Sequence, residues 1–329
     1  MKKDIRKLIT NCCIFSIPIF IWALTLLLID PFNYFSNNKV VDEQTKLQSA
    51  RKLNSLLYNT IAFKNNPTPN VIIGDSRIKR LPIKEIKNIN GDEYFILHSN
   101  AAKLNEIIDL FWLCNDFTKL ENVLLGINFN LYNEYAYANR VQEVKEINSN
   151  PLLYIFNGSV LEITFKIIFN QITGLGFPNI SRNIMLKKAM DGKSTLDKQA
   201  WWNFNINTVA KNQYSKYKYP KELKDRLEEV SAYCLKNNIK LTLLNVPHHK
   251  DYRKRVIDFK LEEEEKIYKN DITKIGNVID YDYSNSITEC KKCFTDPIHT
   301  NDSINLIIVK EIFRDSLVIG KNYNLQPAK

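Results

Sequence analysis

The chain carries a short apolar run at Asn70–Gly74, and similar runs return at Tyr94–His98, Asn122–Ile127, Ile239–Val246 and Asn277–Tyr281. Each has the length of a strand and is bounded by polar or turn-forming residues, so each is expected to be a buried strand. Between them the apolar positions recur at helical spacing. Leu104, Ile107, Ile108 and Phe111 mark a helix from about Lys103 to Phe117, and Leu223, Leu227, Val230 and Cys234 mark another near Pro220–Asn237. A charged helix is expected near Arg253–Lys269 and a last one from about Asp302 to Leu317. Strands alternating with helices imply an α/β fold of three layers, a parallel sheet covered on both faces, with an active site at the carboxyl ends of its strands.

Two regions interrupt this rhythm. From Leu8 to Ile29 the chain runs 22 residues without a charge, long enough to cross the roughly 30 Å hydrocarbon layer as a helix. Pro18 lies inside it, and kinks of that kind are tolerated in spans. Lys2, Lys3, Arg6 and Lys7 precede the run and Asp30 ends it, so the amino terminus is expected in the cytoplasm and the rest outside. A cleaved signal peptide is the rival reading, but no convincing small-x-small site follows the run. Cys12 and Cys13 lie at its start, which argues against a lipoprotein. Residues 1–30 are therefore read as an anchor, 31–69 as a linker with a helix at Val41–Phe63, and 70–329 as the main domain.

The second interruption, an insertion at about 131–219, holds the apolar stretch Leu152–Phe169, a glycine-rich turn at Gly174–Gly176 and the pair Trp201-Trp202. Glu162 and Lys166 lie within the apolar stretch, so a second transmembrane helix is not expected. Shaping of a substrate site, a further membrane contact and plain packing all remain open for this insertion.

The formal net charge of +10 suits an anionic envelope polymer, but a chain rich in Lys, Asn and Ile throughout reaches that value without any such partner. No nucleic-acid signature is present. Cys114 and Cys234 fall on apolar helix faces, and Cys290 and Cys293 are spaced to close a small disulfide loop or to remain free thiols. No metal site and no cofactor are expected, because His248, His249, Asp251 and Cys290 lack ligand spacing.

Three short strings carry the chemistry. Gly74-Asp75-Ser76 ends the first strand, Gly126-Ile127-Asn128 ends the third, and Asp296-Pro297-Ile298-His299 precedes the final helix. A serine hydroxyl becomes a nucleophile when an imidazole accepts its proton, and a carboxylate favours the resulting imidazolium. Taken singly, Ser76 also reads as a helix N-cap and His299 as a loop residue. In order and placement the three strings resemble the SGNH (GDSL-like) hydrolases and acyltransferases, over about residues 70–317 apart from the insertion.

That resemblance implies a flavodoxin-like SGNH domain with Ser76 as nucleophile, His299 as base and Asp296 as its orienting acid. It also implies oxyanion donors from the Ser76 backbone N–H and the Asn128 side chain. The family's second motif has a glycine where this chain reads Ser99-Asn100-Ala101-Ala102, so the third donor would be the backbone N–H of Asn100 or Ala101. Phe129 follows Asn128 where family hydrolases often carry Asp. Arg77 is read either as a substrate contact or as a partner of Asp75, and His248 and His249, after the fourth strand, either as substrate contacts or as loop residues. The proline before these histidines resembles membrane-anchored members that modify surface polymers, such as those serving alginate-type acetylation and D-alanyl transfer to teichoic acids. The implied activity is transfer of an acyl group, acetyl foremost, to a cell-surface or secreted polysaccharide, with a multispanning membrane acyltransferase as partner. An SGNH esterase and a noncatalytic glycan-binding or scaffold protein are the alternatives.

Overall fold

The computed structural model describes residues 2–35, 40–174, 195–314 and 316–324, so Gly176 of the expected glycine-rich turn lies outside the described residues. The chain divides into two compact units. One comprises Met1–Asn65 with Gln142–Asn179, and the other Asn66–Val141 with Ile180–Lys329.

The larger unit is built on a six-stranded sheet of order β2-β1-β3-β4-β5-β8. Strands β1 (Asn70–Gly74), β2 (Tyr94–His98), β3 (Asn122–Ile127), β4 (Lys240–Asn245) and β5 (Asn277–Asp280) run parallel, and β8 (Lys321–Tyr323) pairs antiparallel with β5. The five parallel strands agree with the apolar runs, since a strand buried on both faces needs no polar alternation. β8 is exposed and polar and gives no such signal. Because β1 lies between β2 and β3, the order reverses beside it, and the segments leaving β1 and β3 open onto that reversal.

One sheet face presents Ile72, Leu124, Leu244 and Ile279, which cluster with Ile86 of α4 (Ile83–Asn90) and with Ile304, Ile308 and Val309 of α14 (Asp302–Phe313). Helix α5 (Leu104–Phe117) packs on β1 and against α11 (Lys221–Lys236), which in turn meets α13 (Glu262–Ile275). The unit therefore has an α/β fold with a mostly parallel sheet.

The expected charged helix at 253–269 is instead two helices, α12 (Lys250–Asp258) and α13. Lys260 between them has φ 56°, and Leu261 N–H donates back to the Val256 carbonyl, a helix stop that ordinarily uses glycine or asparagine. With lysine at the turning position, the sequence hides the break. The expected helix at 41–63 likewise divides into α2 (Glu43–Leu53) and α3 (Ser55–Asn65), where the Asn54 side chain accepts from Leu57 N–H.

The smaller unit contains α1 (Lys2–Ile29), α2, α3, most of α6 (Arg140–Ser149), α7 (Pro151–Ile155) and α8 (Gly158–Thr173). The Asp4–Ile29 part of α1 is long and apolar enough to cross a membrane, with a mean hydropathy of 2.6 over its most apolar 18-residue window. Asp30, fully buried, accepts from the backbone N–H groups of Tyr34 and Phe35 and from the Tyr154 hydroxyl at 2.8–2.9 Å.

Gly74 and Gly126 sit side by side where Ile78, fully buried, lies over the ends of β1 and β3. A Cβ on Gly126 would come 2.5 Å from Ile78 Cγ2. Gly126→Ala should therefore cost about 1–3 kcal/mol through overpacking, seen as a lower urea midpoint with unchanged slope.

Candidate functional site

Ser76 lies two residues beyond β1, on a tight turn that passes into a short 3-10 helix, Ile78–Arg80. His299 opens β7 (His299–Thr300), which pairs with β6 (Phe294–Asp296) in a two-stranded ribbon where Asp296 and His299 face each other. Ser76 Oγ is 2.8 Å from His299 Nε2, although 223 residues separate them. On the other side of the ring, Nδ1 is 3.0 and 2.9 Å from the two Asp296 oxygens. A carboxylate only accepts, so Nδ1 carries the proton and the Nε2 lone pair faces the serine hydroxyl.

Asp296 Oδ1 also accepts from the N–H groups of Ile298 and His299, and the Trp201 indole donates to Oδ2 at 3.3 Å. Burial pushes the Asp296 carboxyl upward in pKa, but the His299 ring and these donors more than offset it, so the group is held below the usual carboxylate range. Trp201 reaches it from α9 (Thr195–Phe204), where the ring is half-buried and stacked on Phe204. The sequence singled out the tryptophan pair without a role. A long separation and an irregular neighbourhood left no periodic signal for this contact.

Beside the serine turn lies a second histidine–aspartate pair, fully enclosed. His248 Nδ1 is 2.8 Å from Asp282 Oδ2, so its Nε2 is the acceptor for Arg77 Nη1 at 2.8 Å. Arg77 Nε bonds both oxygens of Asp75, its Nη2 is 2.8 Å from Asp75 Oδ2, and Nη1 also donates to Asn130 Oδ1. Both Arg77 and His248 are about 97–98% buried. Burial holds His248 below the ordinary imidazole pKa although Asp282 pulls it up. For Asp75 and Asp282 burial pushes upward; the Arg77 guanidinium for the first, and the hydrogen bond from His248 with the charges of Arg253 and Lys269 for the second, bring both below the usual carboxylate range.

These placements bear on three readings of the sequence. Arg77, read either as a substrate contact or as a partner of Asp75, is paired with Asp75, and His248, read either as a substrate contact or as a loop residue, is buried between Asp282 and Arg77. Asn128 was expected to offer its side-chain amide to an oxyanion. That amide donates both hydrogens elsewhere, to the Val246 carbonyl at 2.7 Å and to Asp282 at 3.1 Å, while Oδ1 is buried with no partner among the described residues. Reversing the amide would aim its oxygen at two acceptors, so the orientation is fixed. Asp282 itself was missed, although a charge directly after an apolar strand was a readable signal.

His249 is buried too. Its Nδ1 accepts from Asp251 N–H at the start of α12, its ring meets Trp202 and Phe294 edge-on, and its backbone N–H donates to the Pro297 carbonyl. It therefore braces the Asp296–His299 turn from behind.

The backbone donors are placed differently. Ser99 N–H donates to the Gly74 carbonyl and Ala102 N–H to the Ser99 carbonyl, making a turn in which Ala101 has φ 52°. That left-handed position favours glycine, which locates the departure noted in the sequence. Arg140, paired with buried Glu106, donates to the carbonyls of Asn100 and Ala101. Among the described residues no acceptor takes the N–H of Ser76, Asn100 or Ala101. Cys290 and Cys293 are joined in a disulfide.

The depressed pKa of His248 predicts a pH dependence of stability. Unfolded, its imidazole takes a proton near pH 6.5, whereas the folded chain resists it. The unfolded state thus binds more protons, and stability is full above that pH and is lost as pH falls below it. The urea midpoint of the full chain should drop from about pH 7.5 to 5, and His248→Asn should flatten that slope. Asp75, Asp282 and Asp296 act in a lower window, below about pH 4, where their stabilisation is lost as they protonate.

No family model and no curated protein matches this chain. A solved structure described as "a putative platelet activating factor from Streptococcus pneumonia" aligns over 84% of this chain and 97% of its own, at 8% identity and a TM-score of 0.42. A likeness of that size decides nothing about the chemistry of this chain.

Proposed function

We propose that this chain is an SGNH-type, serine-dependent acyltransferase, held by α1 at the outer surface of the cell membrane, that moves an acyl group through an acyl-Ser76 intermediate onto an envelope polysaccharide. The observation that carries the reading is the continuous Ser76–His299–Asp296 hydrogen-bonded chain.

In the first half-reaction His299 Nε2 takes the hydroxyl proton as Ser76 Oγ adds to the acyl carbonyl carbon. The backbone N–H groups of Ser76 and of the Asn100–Ala101 turn are the remaining candidates for receiving the oxyanion. Collapse breaks the bond to the leaving group, which departs with the proton from His299. In the second half-reaction the imidazole takes the proton of an acceptor hydroxyl, whose oxygen attacks the acyl-serine, and Ser76 Oγ regains a proton as it leaves. The half-buried Trp201 ring supports a sugar as acceptor, since an aromatic face beside the reacting groups suits the apolar side of a pyranose. A multispanning membrane acyltransferase is the donor partner that this scheme requires.

The engaged amide of Asn128 favours a second reading, in which the site binds glycan without turnover. A fluorophosphonate probe on the full chain separates the two. Ser76-dependent labelling that disappears in Ser76→Ala and falls by about 10³–10⁴-fold in Asp296→Asn supports acyl chemistry; no labelling of the wild type selects the binding reading. Transfer is told from hydrolysis by the fate of a labelled acetyl ester, with acceptor glycan capturing the label at the expense of free acetate.

A further inference from the structure

Helix α8 is apolar on two opposite faces. Val160, Ile163, Thr164 and Ile167 are buried on one side, and α8 packs against α2. The other side carries Phe165, Phe169 and Ile172, spaced at i, i+4 and i+7, with Phe165 60% and Ile172 79% exposed. Leu152 and Phe156, within and directly after α7, are also exposed. A helix on the surface of a water-soluble unit would turn a polar face outward.

The position of this stripe along α1 identifies what covers it. The Trp22 indole donates to the Ile155 carbonyl at 3.0 Å, and its ring stacks on Phe165 at 5.5 Å. Trp22 lies seven residues before the end of α1, about 10 Å down the helix axis. If α1 crosses a bilayer and Asp30 marks its outer boundary, α7 and the Phe165 level of α8 lie below that boundary, in the outer leaflet. α8 has 16 residues, about 24 Å, too short to cross the layer. Glu162 and Lys166, beside the apolar stripe, neutralise each other as an i,i+4 pair, an arrangement suited to the headgroup–acyl boundary and costly at the midplane.

We propose that the Phe165–Phe169–Ile172 face of α8, extended by Leu152 and Phe156, lies against phospholipid acyl chains of the outer leaflet, making the smaller unit a second membrane contact beside the α1 span. The inference rests on reading α1 as an anchor and is independent of the serine chemistry.

The test uses the full chain in phosphatidylcholine–phosphatidylglycerol nanodiscs, with Cys12 and Cys13 replaced by alanine and one nitroxide placed at Phe169→Cys. Matched labels go to Phe15→Cys, exposed on α1, and Leu235→Cys, exposed on α11 of the larger unit. Power saturation then compares collisions with oxygen, which concentrates in lipid, and with a water-soluble nickel chelate. Oxygen collisions should exceed nickel collisions at 169 as they do at 15, with the opposite order at 235. Nickel dominance at 169 while 15 remains in lipid overturns the proposal and leaves the anchor standing. Nickel dominance at both positions overturns the anchor and the proposal together. Protection at 169 that arises only when a second membrane protein is added assigns the face to that protein instead. Circular dichroism melting of each labelled chain confirms that it is folded.

Discussion

The guanidinium of Arg77 is a full positive charge with almost no access to water, and much of the larger unit is arranged to satisfy it. Burying such a charge alone would cost several kcal/mol, so Asp75, Asn130 and His248 all converge on it. His248 is neutral and can accept only because Asp282 holds its other nitrogen. Asn128 joins through the same Asp282 oxygen. These groups leave β1, β3, β4 and β5, so one charge network ties together four strand ends. Removing a member would leave a buried charge or acceptor unpaired, which is why the network acts as a unit rather than as separable bonds.

That constraint supplies the rigidity on which the candidate chemistry depends. Ser76 sits between two network members, Asp75 and Arg77, and the backbone N–H of Arg77 also bonds Asp75. The serine turn therefore has little freedom beyond rotation of its hydroxyl. The histidine comes from the other direction, on a two-stranded ribbon braced by His249 and by the tryptophan contact to Asp296. Two histidine–aspartate pairs thus stand at this edge with opposite roles. The His248 pair is dry and ends on a guanidinium, whereas His299, partly open to solvent, ends on a serine hydroxyl.

The smaller unit is organised by a different buried acid. Asp30 stands where the apolar run stops, and its carboxylate collects two backbone N–H groups and the Tyr154 hydroxyl. It therefore joins the end of α1 to α7, a residue pair more than a hundred positions apart. Tyr34 stacks on Tyr154 at 4.2 Å and closes the same corner.

The sequence by itself determined the parallel strands, the α/β class, the apolar amino-terminal helix and the identity of a serine, an aspartate and a histidine worth bringing together. The strands and the helix follow from local composition, because a doubly buried strand must be apolar along its length; the serine, aspartate and histidine were legible only through the joint order of three short strings, since taken singly Ser76 reads as a helix N-cap and His299 as a loop residue. It did not determine the breaks at Asn54, whose side chain caps the next helix, and at Lys260, where a lysine takes the left-handed position usually held by glycine or asparagine. Nor did it separate Arg77, His248 and Asn128 from the groups open to substrate, because a polar residue at a strand end reads the same whether it faces water or a buried partner. Only the tertiary structure decides that, by fixing which charges meet: Arg77 with Asp75 and His248, Asn128 with Asp282, and Ser76 with His299.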